Sequence, residues 1–429
     1  MTMIRWMFSY LMLLTLGCAG GMEKDNLEGL SESQDSWLQQ GAEKAGVYPA
    51  GSPVATYGKL KVENRQLSSY NGDPVQLKGM STHGLQWYGG FVNKEAFQTL
   101  ASGWKASVVR AAMYTAEGGY ISDPSVKTKV EQVVQYAEET GMYALIDWHI
   151  LLDNDPNTYL NQSKIFFEEM AKKYALKSHV LYELCNEPNG NVHWADIKRY
   201  ALQVIPLIRK HDPKAVIIVG TGTWSQDVQE PAADPIPFDN ILYAVHFYAG
   251  THTQSLRDRV STALGSIAIF ATEWGTSSAS GDGGPFLTEA QKWIDFLATK
   301  KVSWCNWSLA DKSEVSAALL PGASPSGSWP DSQLSASGLF VKKAIQESGG
   351  SNPNPTNPTN PTNPDNPTVP SNPSNPSNPG QTGQIGSVQG CATSGHTSAV
   401  SGWLLVGLGA LLLLRHRRRS ADRPGSAGN

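Results

Sequence analysis

Short apolar runs alternate with longer amphipathic stretches along the middle of the chain, from residue 53 to residue 346. Eight runs have the length of β-strands, at residues 75–80, 107–114, 143–149, 180–186, 215–220, 241–248, 267–273 and 302–309. Apolar residues recur at helical spacing between them, most clearly at residues 128–140, 163–173, 194–210 and 288–300. Repeated strand–helix units in a block of this size predict an α/β fold, a (β/α)8 TIM barrel.

The N-terminal pattern differs from that of the predicted barrel. Arg5, an apolar stretch at residues 6–16 and small residues at 17–21 are typical of a secretory signal peptide, which we place at residues 1–20. Two alternatives stand for its processing, lipidation at Cys18 or ordinary cleavage near residues 19–21. Residues 21–52 are polar without a core pattern and predict a tether.

Asn-Pro-Thr and Asn-Pro-Ser triplets dominate residues 347–390, which predicts an extended polyproline II linker. Residues 391–429 contain Cys391, a polar spacer, an apolar run at 403–414 and a basic cluster at 415–419, which together predict an anchoring segment. The apolar run is shorter than the roughly 20 residues that a spanning helix needs, so a processed signal and a single-span tail anchor are alternatives. We expect an exported barrel attached to the membrane or cell surface, associated with the outer membrane, or secreted after processing.

Composition narrows the function classes. With 34 basic and 38 acidic residues the formal charge is -4, which provides no broad basic surface and excludes nucleic acid as an expected partner. The 13 tryptophans either stack on sugar rings or fill the core. Four cysteines are too few for a disulfide framework, and Cys185 and Cys305, each in an apolar run, are expected to be buried free thiols.

Two glutamates stand at the ends of two strand-like runs. Glu187 precedes Pro188, which stops regular strand pairing, and Glu273 precedes Trp274. Cleaving a glycosidic bond with retention needs a carboxylic acid and a carboxylate about 5–5.5 Å apart. Strand ends on opposite sides of a barrel can supply that separation, so the pair predicts a glycoside hydrolase.

Further polar and aromatic residues gather at the ends of the predicted strands, where barrel enzymes place their active sites. A single residue of this kind is more often structural, but this set follows all eight strands. The supporting set is His83, Trp87, Arg110, His149, Asn186, Trp224, His246, Tyr248 and Trp307.

The chain resembles glycoside hydrolase family 5 at Arg110, Asn186-Glu187-Pro188, His246-x-Tyr248, Glu273 and Trp307. Residues 81–89, 246–252 and 306–312 are similar to the bacterial endoglucanases (cellulases) of that family, and the resemblance covers residues 53–346. It implies a retaining endo-β-1,4-glucanase acting on cellulose or mixed β-glucan. The C-terminal segment resembles the sorting signals of myxobacterial surface proteins.

The resemblance also implies roles for the candidate residues. Glu187 would be the general acid/base and Glu273 the nucleophile, held by Arg110 and Tyr248, while Asn186 would bond the sugar 2-hydroxyl. The remaining roles are ring or carboxylate orientation by His149 and His246, and stacking on Trp87, Trp224 and Trp307. Lys312 and Glu314 would bond sugars on the non-reducing side, or else form an ordinary solvated pair.

We expect no cofactor, and the sequence spacing supports no metal site; a bound calcium ion has no support either. The expected partner is a β-glucan polysaccharide, and the expected state is a monomer. Within the family, a mannanase, xylanase or xyloglucanase is the alternative, since the catalytic pair fixes the bond chemistry but not the sugar. A non-catalytic surface carbohydrate-binding protein is the alternative outside the enzymes.

Overall fold

The computed structural model describes residues 48–175 and 177–347. Eight parallel strands form a closed barrel, because the last strand pairs with the first. In chain order they are β1 (Lys78–Thr82), β2 (Val108–Tyr114), β3 (Tyr143–His149), β4 (Val180–Glu183), β5 (Ile217–Val219), β6 (Ile241–Tyr248), β7 (Ile269–Gly275) and β8 (Ser303–Leu309). The predicted (β/α)8 TIM barrel is confirmed.

Helices follow the strands and cover the outside of the barrel. Each of the four helices predicted from spacing is present, with ends that differ from the expectation by at most three residues. The longer helices are Lys127–Thr140, Leu160–Tyr174, Trp194–Arg209, Gln254–Ala263, Leu287–Thr299 and Ala336–Gln346. The first of these shows why they form: its buried face carries Val130, Val133, Val134 and Ala137, and it ends at Gly141, whose φ of 73° suits glycine.

Alternation along the strands decides which side chains enter the barrel. In β2, Val108 belongs to the cluster that fills the lower barrel interior, whereas Val109 packs outward against the helices. Successive side chains of a strand face opposite sides, so Arg110, Ala112 and Tyr114 also point inward, each one step closer to the carboxyl end. The chain thereby places one arginine inside the barrel, one step above the apolar cluster that contains Val108.

A β-bulge modifies this alternation in β7. The register with β6 runs from Ala244 opposite Phe270 to His246 opposite Glu273, which leaves one extra residue on β7. A bulge of this kind redirects side chains next to it. Consecutive residues Thr272 and Glu273 therefore both make contacts inside the barrel.

Two predicted strand boundaries were wrong by three residues, and the others differ from the observed ones by at most two residues. The first barrel strand begins at Lys78 and not at residue 75, because the Val75 amide donates to Leu67 of a small hairpin formed by Lys61–Glu63 and Gln66–Ser68. The fourth strand ends at Glu183 and not at residue 186, so Cys185 lies beyond it. Cys185 and Cys305 are nevertheless buried free thiols, as expected.

The predicted terminal segments lie mainly outside the described residues. The predicted tether is wrong for residues 48–52: Tyr48 is buried and its hydroxyl lies 3.0 Å from His179 Nδ1, while Ser52 caps the helix Pro53–Tyr57. The polar composition of residues 21–52 gave no indication of these contacts with the barrel. Within residues 48–175 and 177–347, the helices are all too short or too polar to cross a membrane.

Candidate active site

The carboxyl ends of the barrel strands surround a cleft of about 640 Å³. The predicted site residues that line it are His83, Trp87, His149, Glu187, Trp224, His246, Tyr248, Glu273, Trp307, Lys312 and Glu314. The other two, Arg110 and Asn186, are fully buried. The fold thus brings the whole predicted set to one place.

Glu187 and Glu273 approach each other from opposite sides of the cleft floor. One carboxylate oxygen of each lies within 4.8 Å of the other, and the side chains belong to residues only 8% and 4% exposed. This spacing is close to the separation of about 5–5.5 Å found in retaining glycosidases and too short for the attacking water of an inverting one. The pair therefore has the geometry for covalent displacement.

Arg110 ties together the polar groups below the cleft. Its Nε donates to Glu183 Oε2 at 2.7 Å, and its Nη1 donates to Glu273 Oε2 at 3.1 Å. Its Nη2 lies 3.0 Å from Asp147 Oδ2 and donates to Asn186 Oδ1 at 2.6 Å. One buried cation therefore fixes three carboxylates and an amide.

The environment of Glu273 favours its ionised form. Burial alone would raise the pKa of this carboxyl, but the positive charges of His246 and Arg110 bring it below its ordinary value. The Tyr248 hydroxyl also donates to Glu273 Oε1 at 2.7 Å. Glu273 is thereby held as an oriented carboxylate, which is the form that a nucleophile needs.

Glu187 has the opposite tendency. Burial raises its pKa, and the nearby charge of Glu273 raises it further. A carboxyl group that keeps its proton toward neutral pH can donate that proton to a leaving oxygen. The two glutamates thus differ in protonation in the way that acid and nucleophile must.

His246 connects Glu187 to the groups below it. Its Nδ1 lies 2.9 Å from Glu187 Oε1, and its Nε2 lies 2.9 Å from Thr272 Oγ1. Because the Thr272 hydroxyl donates to Glu183 at 2.6 Å, the His246 Nε2 must be the donor to Thr272. Burial opposes the charged imidazole, but the carboxylates of Glu183 and Glu187 raise the pKa of His246 to about 9. The charged ring therefore donates from both nitrogens, to Glu187 Oε1 and to Thr272 Oγ1.

Asn186 is held in one orientation. Burial and the charge of Arg110 lower the pKa of His149 to about 3, so its ring is neutral. The ring then donates from Nδ1 to Asp147 Oδ2 at 2.6 Å and accepts at Nε2 from Asn186 Nδ2 at 3.2 Å. Asn186 Nδ2 also donates to the Ile150 carbonyl at 3.0 Å. A sugar 2-hydroxyl would have to share these donors.

The predicted stacking residues differ in exposure. Trp87 is 50% and Trp224 45% exposed, whereas Trp307 is only 6% exposed and stacks on His149 with ring centroids 5.4 Å apart. Trp87 follows β1 and Trp224 follows β5, and these strands lie across the barrel from each other. A chain of sugars contacting both indoles would therefore pass over the two glutamates. His83 lies against Trp87 and Trp307 and supports this apolar floor.

Lys312 and Glu314 form an ion pair at the edge of the cleft. The Lys312 side chain is 42% exposed, but that of Glu314 is only 8% exposed and accepts from Ser316 Oγ at 2.6 Å. An ordinary solvated surface pair does not fit the burial of Glu314. Both residues are positioned to contact a ligand in the cleft.

Several functional neighbours escaped the sequence analysis. Asp147, Glu183 and Thr272 lie under the two glutamates, and Tyr114, Glu117, Gln226 and His252 line the cleft. Asp147 could have been found, because it stands two residues before His149 on the same face of a strand. A charged residue inside an apolar strand was the feature of the sequence that indicated a buried functional side chain. The same feature is present at Glu183.

Glu187, His246 and Glu273 are also the cluster among the described residues with ligand atoms close enough for a metal ion. Their arrangement already has a cause in the hydrogen bonds described above. The described part of the chain therefore offers no separate group of ligands that requires a metal to explain it.

A family model described as cellulase, glycosyl hydrolase family 5, matches residues 68–313. The chain belongs to glycosyl hydrolase family 5. Among family 5 relatives, an endoglucanase of Clostridium saccharobutylicum is 58% identical over 309 residues, which cover 71% of this chain and 68% of that protein. Endoglucanase N of Pectobacterium atrosepticum is 54% identical, with 71% of this chain and 70% of that protein covered.

Solved family 5 structures share the same barrel. The catalytic domain of the Thermobifida fusca endoglucanase Cel5A, in a variant complexed with cellotetraose, matches with a TM-score of 0.68 and 41% identity. The match covers 69% of this chain and all of that one. A cellulase called Cel5C_n matches with a TM-score of 0.68 and 46% identity over 70% of this chain and 95% of that one.

Proposed function

We propose that this chain is a retaining endo-β-1,4-glucanase that hydrolyses internal bonds of cellulose or mixed β-glucan. The observation that carries the proposal is the carboxylate pair within 4.8 Å, in which the pKa of Glu187 is raised and that of Glu273 is lowered. The endoglucanase relatives support the glucan substrate, and the solved cellotetraose complex of one of them supports a β-1,4-linked chain.

The first chemical step forms a covalent intermediate. A Glu273 oxygen bonds to the anomeric carbon while the bond from that carbon to the leaving oxygen breaks, and Glu187 gives its proton to that oxygen. Arg110 and Tyr248 keep the attacking carboxylate aimed at the carbon. Glu187 is then ionised, and His246 at 2.9 Å stabilises its new charge.

The second step releases the sugar with its original configuration. Esterification has removed the charge of Glu273, so the pKa of Glu187 falls again in the intermediate. Glu187 takes a proton from water as the water oxygen bonds to the anomeric carbon, and the bond to Glu273 breaks. Both glutamates return to their starting states.

The direct test compares soluble β-glucan, mannan and xylan as substrates for the full chain and for its Glu187→Gln variant. We expect release from β-glucan by the parent chain and a loss of about 10²–10⁴-fold in the variant, since an amide cannot donate the proton. Viscosity should fall faster than reducing ends appear if internal bonds are cut. Hydrolysis confined to mannan or xylan would contradict the glucan assignment, and equal rates in both proteins would contradict the role of Glu187.

The pH profile of a His246→Gln variant tests the electrostatic coupling between His246 and the two glutamates. The charge of His246 lowers the pKa of both glutamates, so its loss should raise both values. Glu273 then ionises at higher pH, and Glu187 keeps its proton to higher pH. Both limbs of the profile of kcat/KM on β-glucan should move upward. Limbs that stay in place, or move downward, would contradict this coupling.

The matched control is His211→Gln, whose ring contacts Glu168 on the outside of the barrel. Its profile should coincide with that of the parent chain. Stability provides a second measurement: the folded pKa of His246, about 9, exceeds the unfolded value of about 6.5. The stabilisation from its charge is therefore complete below about pH 6.5 and is lost as the pH rises through about 9.

We also propose that the enzyme is exported and held at the cell surface or outer membrane by its terminal segments, and that it acts as a monomer. The signal-like start, the Asn-Pro linker and the C-terminal cluster of Cys391, apolar run and arginines support this placement. Fractionation of the producing cells should find the chain with the surface or in the medium. Recovery from the cytoplasm, or a dimeric mass in light scattering, would contradict the respective proposal.

A further inference from the structure

The segment after β5 has an unusual backbone conformation. Thr223, Trp224 and Ser225 have φ values of 52°, 53° and 57°, three consecutive residues in the left-handed region. Residues with a Cβ rarely enter this region, and a β-branched threonine does so least readily. Such strain persists only where the surrounding contacts impose it, and it concentrates at functional sites.

The contacts that hold this turn lead to the segment that carries Glu187. The Trp224 amide donates to the Pro188 carbonyl at 3.0 Å. The Ser225 hydroxyl donates to the Asn186 carbonyl at 2.6 Å and accepts from the Thr221 amide at 3.1 Å. Ser225 is fully buried, so water cannot replace these bonds. The carbonyls on both sides of Glu187 are thus bonded to the turn.

Gly220 brings the two segments into direct backbone contact. A Cβ at this position would lie 2.2 Å from the Cys185 carbonyl oxygen and 3.0 Å from that of Asn186. A real side-chain carbon cannot approach a backbone oxygen so closely, which explains the glycine. The turn after β5 and the loop after β4 therefore pack as one unit.

We propose that Ser225 is a positioning residue for Glu187. Its hydroxyl holds the strained turn against the Asn186 carbonyl, so that the catalytic acid and the exposed indole of Trp224 keep a fixed separation. Glu187 protonates the leaving oxygen, so the surface beside it contacts the leaving-group sugar. The turn therefore aligns the leaving sugar with the proton that it receives. This inference rests on the proposed function, because it requires Glu187 to be the acid.

A selective effect on kinetics follows from this role. When the leaving group is a sugar, bond cleavage requires the Glu187 proton; when it is 2,4-dinitrophenolate, the bond breaks without one. The value of kcat/KM reports the reaction through formation of the covalent intermediate. Misplacing Glu187 should therefore lower kcat/KM for cellotetraose and spare it for 2,4-dinitrophenyl β-cellobioside.

The experiment measures both substrates with the full chain and its Ser225→Ala variant. We expect kcat/KM for cellotetraose to fall about 10-fold, as for loss of one buried hydrogen bond, and kcat/KM for the aryl glycoside to change less than about twofold. Ser225→Gly should show the same selectivity, because it also lacks the hydroxyl. Glycine in addition adopts the left-handed φ without strain. That second variant keeps the test available if the first does not fold.

Ser303→Ala is the matched control. Ser303 is 1% exposed, and its hydroxyl accepts from the Leu77 amide at 2.8 Å at the opposite end of the barrel. It should lower Tm in a similar way and leave the ratio of the two kcat/KM values unchanged. Equal losses on both substrates in the Ser225 variants, or no loss on either, would overturn the proposal. A parent chain that cleaves neither substrate would overturn the proposed function and this inference with it.

Discussion

Replacing Glu273 with glutamine should lower the kcat for soluble β-glucan by on the order of 10⁴-fold or more, as removal of a catalytic nucleophile does elsewhere. The amide is nearly isosteric but carries no charge to attack the anomeric carbon. It also gives Arg110 and Tyr248 a poorer acceptor than the carboxylate at 3.1 and 2.7 Å. The loss should appear in kcat far more than in KM, because most cleft contacts remain.

The covalent intermediate provides an independent check on the same residue. A 2-deoxy-2-fluoro cellobioside with a dinitrophenolate leaving group should glycosylate the parent chain and then hydrolyse slowly, since fluorine destabilises the positive charge of both transition states. Mass spectrometry of the digested protein should find the sugar on the peptide containing Glu273. A label on another peptide, or no label in an active enzyme, would contradict the assignment.

Glu289→Gln is a suitable control for the Glu273 variant. Glu289 also pairs with a buried arginine, Arg257 at 2.6 Å, but it lies on the helix Leu287–Thr299 outside the barrel. Its loss should affect stability and leave kcat close to that of the parent chain. Comparable kcat losses in the two variants would mean that arginine pairing, and not the nucleophile, explains the result.

The hydrophobic pattern was sufficient for the barrel because each strand is buried on both faces and is followed by an amphipathic helix. Prolines and glycines at strand ends also located Glu187 and Glu273. The same pattern could not reveal the bulge in β7, because it depends on pairing with β6 and not on the local sequence. That bulge decides that Thr272 and Glu273 both face the interior.

The supporting network was harder to predict than the cleft. Asp147 and Glu183 lie within apolar strands, where a sequence alone does not show whether a charge has a partner. Their common partner, Arg110, is 73 positions from Glu183 in the sequence. Only the folded structure shows that pairing with Arg110 explains why both carboxylates are buried. Similarly, the left-handed turn at Trp224 contains no glycine at its three strained positions. The residue types at these positions therefore gave no indication of a left-handed conformation.

Replacing Arg110 with methionine should reduce the free energy of unfolding by about 3–5 kcal/mol at neutral pH, the cost of leaving buried charges without their partner. Asp147, Glu183 and Glu273 would all lose the cation that now lies 2.7–3.1 Å from each. Activity should fall as well, because Glu273 would lose the charge and the hydrogen bond of Arg110, and only His246 and Tyr248 would still favour its ionised form. Urea unfolding and kcat measurements test the two effects together.

Lowering the pH should reduce the difference in stability between the Arg110→Met variant and the parent chain. In the parent, burial raises the pKa of Glu183, but Arg110 and His246 together outweigh burial and bring that pKa to about 2. This stabilisation is therefore present above the unfolded value of about 4.3 and is lost as the pH falls through about 2. In the variant, burial without the arginine should instead raise the pKa of the carboxylates. Protonation at low pH then removes the free-energy cost of burying their unpaired charges.

Arg257→Met is the control that distinguishes the loss of this network from the loss of any buried arginine. Arg257 is 4% exposed, but it pairs with the single carboxylate of Glu289 and lies over the Trp293 ring at 5.1 Å. We expect a smaller stability loss, with kcat unchanged and little recovery at low pH, because only one partly accessible carboxylate is left. If both variants lost equal stability and the Arg110 variant kept its kcat, the buried network would contribute only to stability and would not support the nucleophile.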